Sequence, residues 1–123
     1  MNAGMSLGSL EARIMGLLWA AGGPRTVRET HAELNVDRDP PLAYTTVLTV
    51  MSRLAEKGAL VRAEQAKRGR GHLYEPAAAD EAALAVHCVL RAYGHAAVGH
   101  FVAQAKSDPA LHERLRALLD ENG

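Results

Sequence analysis

The chain reads as mainly α-helical with one small β-hairpin, and three observations carry that expectation. Apolar residues recur at steps of three and four through most of its length, the spacing of amphipathic helices. Between residues 60 and 75 the period shortens, and a glycine-punctuated basic run separates two strand-like segments. Glycines, prolines and capping residues fall where the helical stretches should start and stop.

Leu7, Leu10, Ile14, Leu17 and Leu18, with Trp19 close behind, make the first helical stripe, which stops at Gly22-Gly23-Pro24. Thr26-Val27-Arg28-Glu29 reads as a capping box: the threonine hydroxyl accepts from the amide three residues on, and the glutamate reaches back. A second helix follows from about Val27 to Leu34, and Asn35 to Pro41, with two aspartates and two prolines, is a turn.

The third helix is expected from about Ala43 to Lys57, ending at Gly58, a natural residue for a left-handed helix end. At 100° per residue Val47, Val50, Met51 and Leu54 fall within about 100° of one another. The opposite face holds Thr45, Thr46, Thr49, Ser52 and Arg53, with Leu48 at its edge. An ordinary solvated face carries glutamate and lysine; this one carries hydroxyls.

Leu60 to Glu64 and His72 to Glu75 are the strand candidates, with Lys67-Arg68-Gly69-Arg70-Gly71 between them and Pro76 closing the second. Three helices followed by a hairpin is the order of a winged helix-turn-helix. In that arrangement the third helix enters the major groove and the hairpin lies along a phosphate track.

From Asp80 the chain is helical again. Asp80 caps a helix through about Tyr93, and Gly94-His95 breaks it. Val98, Phe101, Val102 and Ala105 form a stripe, Asp108-Pro109 starts another helix, and Leu111, Leu115, Leu118 and Leu119 line it. Three short helices cannot bury both sides of these stripes in one subunit, so a second copy is expected, with Val98, Phe101, Val102, Leu111, Leu115 and Leu118 at the interface. The expected division is a winged-helix region over 5–78 and a C-terminal helical dimerisation region over 79–123.

At 123 residues and 48% apolar composition the chain is of single-domain size and foldable. One cysteine, Cys88, permits no internal disulfide, which fits a reducing compartment. The first residues lack the basic and apolar regions of a signal peptide, and no run approaches the roughly 18 apolar residues of a membrane span. A cytoplasmic protein without membrane contact is expected. Net charge is zero, yet Arg53 to Arg70 holds six basic residues against Glu56 and Glu64, a local excess of four positive charges.

With these residues in view, the chain resembles a known family. Leu10-Glu11 to Leu18-Trp19, Thr26-Val27-Arg28, the run from Leu42 to Leu54, Lys57-Gly58 and His72-Leu73-Tyr74-Glu75-Pro76 resemble the penicillinase repressor family of BlaI/MecI type, with its copper-responsive CopY relatives. The most specific part, Ala43-Tyr44-Thr45-Thr46-Val47, continuing through Thr49-Val50 to Arg53-Leu54, is similar to the actinobacterial branch. The resemblance spans about Leu7 to Leu119. It implies a homodimeric repressor on an inverted-repeat operator in double-stranded DNA, controlling β-lactam-response or related stress genes. It also implies release through a membrane-bound metalloprotease sensor that cuts before a phenylalanine, the candidate site here being His100-Phe101. Cleaved members carry asparagine where this chain has His100. The copper-sensing relatives use paired cysteines that Cys88 alone does not supply.

Thr45, Thr46 and Thr49 are the base-contact candidates, because hydroxyls donate or accept and threonine methyls pack on thymine methyls. Tyr44 either donates to a phosphate or packs on the second helix. Arg53 and the hairpin's Lys67, Arg68 and Arg70 are backbone-contact candidates. The six histidines and Cys88 build no zinc spacing, and no metal or cofactor is expected. No phosphate loop, paired carboxylates or nucleophile set suggests an enzyme. The alternative is a winged-helix protein-interaction module, against which the hydroxyl face argues, since protein interfaces favour aromatic and leucine anchors.

Overall fold

The computed structural model describes residues 7–63 and 72–122. It forms two compact units, the first ending at Cys88 and the second starting at Val89. Among the described residues the order is α1 (Ser9–Ala21), β1 (Arg25–Thr26), α2 (Val27–Leu34), α3 (Tyr44–Lys57), β2 (Leu60–Ala63), β3 (Leu73–Pro76), α4 (Glu81–Tyr93), α5 (His95–Lys106) and α6 (Pro109–Asn122). This is a winged-helix arrangement followed by C-terminal helices.

The local signals act as the sequence suggests. Gly22 ends α1 at φ 75°, and Gly58 ends α3 at φ 91°, the left-handed region where a Cβ is costly. At the start of α2 the Glu29 N–H donates to Thr26 Oγ1 at 3.1 Å, and the Thr26 N–H donates to Glu29 Oε1 at 2.9 Å. The Ala83 N–H donates to Asp80 Oδ1 at 2.8 Å ahead of α4, and Asp108 Oδ1 accepts from Ala110 and Leu111 at 3.1 and 3.2 Å at the start of α6. Each bond satisfies a first-turn donor that the helix itself leaves open.

Two features of the sheet differ from the hairpin expected. A third strand, β1, flanks it, giving the antiparallel order β1-β3-β2 with Arg25 opposite Tyr74 and Thr26 opposite Leu73. Two residues are too short to show a period; pairing with β3 alone makes them a strand. The second hairpin strand also runs from Leu73 to Pro76, so His72 precedes it and Pro76 belongs to it. Pro76 lies opposite Leu60, and the ladder bond beyond it runs from the Ala77 N–H to the Ala59 carbonyl at 2.9 Å. Hydrogen-bonded and non-hydrogen-bonded pairs alternate, so the missing proline N–H falls where β2 asks for none.

The core of the first unit gathers Ile14, Met15 and Leu18 of α1, Val27 and Leu34 of α2, Val47, Met51 and Leu54 of α3, Leu60 and Tyr74 of the sheet, and Leu84 and Cys88 of α4. Leu84 and Cys88 stand one helical turn apart, so α4 completes this core with one stripe. Trp19 seals its edge by donating Nε1–H to the Ala78 carbonyl at 2.9 Å. In the second unit α5 packs on α6 and Ala105 is fully buried.

Candidate nucleic-acid interface

The third helix divides into two faces. Val47, Met51 and Leu54 are fully buried, while Thr45, Thr46, Leu48, Thr49 and Arg53 are exposed and Ser52 is half-buried. Burial on one side fixes the helix's rotation and leaves the hydroxyl row outward. The start of α3 has Ala43 at its N-cap with no side-chain cap, so its first amides are not occupied by a capping side chain. Such amides, at the positive end of the helix dipole, suit a phosphate.

What fixes α3 against α2 is the turn between them. Asn35 Oδ1 accepts the Leu42 N–H at 2.8 Å, and Asn35 Nδ2 donates to the Leu42 carbonyl at 3.1 Å. His31 Nε2 lies 2.9 Å from the same carbonyl. The same nitrogen lies 3.1 Å from Asn35 Nδ2, so it donates to the carbonyl or accepts from the carboxamide according to its tautomer. Next to this cluster Tyr44 packs edge-on against the His31 ring, centroids 5.6 Å apart, and is 43% exposed. Its ring therefore rests on α2 while part of it faces solvent.

Electrostatics tie the far end of α3 to α1. Lys57 Nζ meets Glu11 Oε2 at 2.8 Å, and the Gly8 N–H donates to Glu11 Oε1 at 3.0 Å. Burial pushes the Glu11 carboxyl up, but these hydrogen bonds and the charges of Lys57 and Arg53 outweigh it and hold the pKa below its ordinary value. Lys57 is thus engaged within the unit. Arg53 stands exposed one turn earlier, within electrostatic reach of Glu11.

Lys67, Arg68 and Arg70 lie outside the described residues, and β2 and β3 lead into and out of that segment. At its base Arg62 Nε donates to the Tyr74 hydroxyl at 3.2 Å. Val98 and Phe101 of α5 are about half exposed, Val102, Leu111, Leu115 and Leu118 are half-buried, and Leu119 is 64% exposed. His100 and Phe101 sit within the helical body of α5. Among the described residues no three histidine, cysteine or acidic side chains group as metal ligands, and no helix is long and apolar enough to cross a membrane.

Residues 7–121 match the family model described as penicillinase repressor. The chain belongs to the penicillinase repressor family. Repressors of this family are DNA-binding regulators of transcription, and the exposed hydroxyl face of α3 belongs to such a molecule. Two relatives, each named transcriptional regulator BlaI, come from Mycobacterium tuberculosis strains CDC 1551 and H37Rv. Each is 40% identical over 122 aligned positions, covering 94% of this chain and 83% of the relative.

Sequence reasoning missed the Asn35–Leu42 pairing, the His31 bond and the Arg62–Tyr74 contact. Asn35 stood in a segment read only as a turn, and its position just after a helix was the one available hint. Arg62 counted only toward the local charge.

Proposed function

We propose that this chain is a dimeric, sequence-specific repressor of the cytoplasm that occludes a promoter at an inverted-repeat operator. In this reading Thr45, Thr46 and Thr49 read base edges in the major groove. Tyr44, Arg53, Lys67, Arg68 and Arg70 hold the phosphate backbone. Residues 5–78 serve DNA binding and 79–123 pair two chains through Val98, Phe101, Val102, Leu111, Leu115 and Leu118. The proposed targets are genes of the β-lactam response or a related stress response, and His100-Phe101 is the candidate cleavage site for a membrane-bound metalloprotease sensor.

The observation that carries the reading is the hydroxyl row Thr45, Thr46 and Thr49 of α3, held outward by full burial of Val47, Met51 and Leu54. Hydroxyl and methyl groups suit base edges. Half-exposed Val98 and Phe101 support pairing, because an isologous dimer covers the same apolar patch on both chains.

Fluorescence anisotropy with a labelled duplex from upstream of the chain's own gene, and a scrambled duplex beside it, tests the reading. Salt-dependent binding that prefers the upstream duplex and saturates at two chains per site is the expected result. Equal, weak binding to several upstream duplexes and to the scrambled one would sink it in favour of a protein partner for α3.

A further inference from the structure

We propose that Arg62 grips a DNA phosphate at the foot of the wing, aimed by the hydroxyl of Tyr74; the proposal rests on the DNA-binding reading above. Strand pairing sets Arg62 directly opposite Tyr74. The Ala77 to Ala59 bond marks that position as a hydrogen-bonded pair, so by alternation Arg62 and Tyr74 form a non-hydrogen-bonded pair. Facing side chains approach most closely in such pairs.

Their geometry follows from that proximity. Tyr74 is only 2% exposed, and its hydroxyl accepts from Arg62 Nε at 3.2 Å, with the guanidinium carbon 5.7 Å from the ring centroid. The bond engages Nε and leaves both terminal nitrogens without a partner among the described residues, on an exposed side chain. Those two nitrogens make the planar fork that fits a phosphate. A long side chain anchored at Nε loses less rotamer freedom when it grips a ligand than a lysine would.

The surroundings put this cation beside the proposed reading face. β2 packs on α3. The hydrogen bond to Tyr74 favours the charged guanidinium first, and attraction from Glu56 adds to it. Glu56 is exposed on α3 and, at 100° per residue, falls within about 20° of the line through Thr45 and Thr49. Arg62 is thus within electrostatic reach of the C-terminal end of the hydroxyl row, where it offsets the Glu56 carboxylate.

A plainer role exists: Arg62 as a cover over Tyr74. The two roles differ in salt dependence, because removing a cation that sits on a phosphate flattens the dependence of binding on salt, and removing a cover does not. The test uses the full chain, the upstream and scrambled duplexes, and anisotropy at several salt concentrations, with thermal melts of each variant. Arg62→Ala should weaken both duplexes by a similar factor and reduce the log–log salt slope by about 0.9 for each phosphate no longer neutralised. Arg62→Lys should keep the slope and bind more weakly than the native chain. Tyr74→Phe should keep the slope and show reduced affinity, since the charge stays and its anchor goes.

A folded Arg62→Ala chain with the native salt slope overturns the proposal, whatever its affinity. Should the alanine variant not fold, Arg62→Lys at full native affinity overturns it instead. A native chain that binds neither duplex at low salt overturns the DNA-binding reading beneath it, which separates the two failures.

Discussion

The carboxamide of Asn35 pairs with both backbone polar groups of Leu42, accepting its N–H at 2.8 Å and donating to its carbonyl at 3.1 Å. One side chain thereby imitates a strand partner and closes the turn that positions α3. Leu42 is two residues ahead of Tyr44, so movement at this point is passed directly to the start of the helix.

Asn35→Ala should destabilise the first unit by about 1–3 kcal/mol, because it leaves the half-buried Leu42 N–H without its acceptor. Asn35→Asp keeps an acceptor for the Leu42 N–H but sets a carboxylate oxygen against the Leu42 carbonyl, so it should also fall below the native chain. Urea denaturation of the three proteins gives the order; an alanine variant as stable as the native chain contradicts it.

Replacing Thr45 and Thr49 together by alanine removes the hydroxyls while the buried face of α3 stays intact. The expected loss is about 1–3 kcal/mol of preference for each base these threonines read, seen as a smaller ratio between upstream and scrambled duplexes. A parallel loss on both duplexes would move these threonines from base readers to backbone contacts.

Glu11 links stability to pH. Its carboxyl titrates below the ordinary value in the folded chain, so the stabilisation is present above the unfolded carboxyl pKa and lost as pH falls through the folded one. The native chain should therefore exceed Glu11→Gln in stability at neutral pH, by up to about 1 kcal/mol given that Lys57 is partly exposed. The gap should close in acid. Denaturant midpoints of the two proteins at neutral pH and across the acid range check this, and a gap that stays constant would contradict it.

Phe101→Asp places a charge on the apolar side chain proposed for the centre of the dimer. The variant should run as a monomer by light scattering while keeping its helical circular dichroism. An unchanged dimer mass would take Phe101 out of the interface.

Several elements were legible because their causes are local. The Thr26–Glu29 box, the glycine at the end of α3, Asp80 before α4 and Asp108-Pro109 before α6 each act within four residues, and residue order alone exposes them. The two faces of α3 followed from the helical period. By contrast β1 became a strand through β3, far along the chain, and no property of Arg25 and Thr26 taken alone announces it.

Residue order determined, by itself, where the helices begin and end, which side of α3 is apolar and that a hydroxyl row lies opposite. Propensity, period and capping all operate over a turn or two of chain. The tertiary structure alone decided which polar groups meet across long separations. Trp19 reaches Ala78 across 59 positions, Lys57 reaches Glu11 across 46, and Arg62 meets Tyr74 across 12. Such pairs form only after burial of the common core has met the cost of closing the loops between them, and many partners of the right chemistry compete until then.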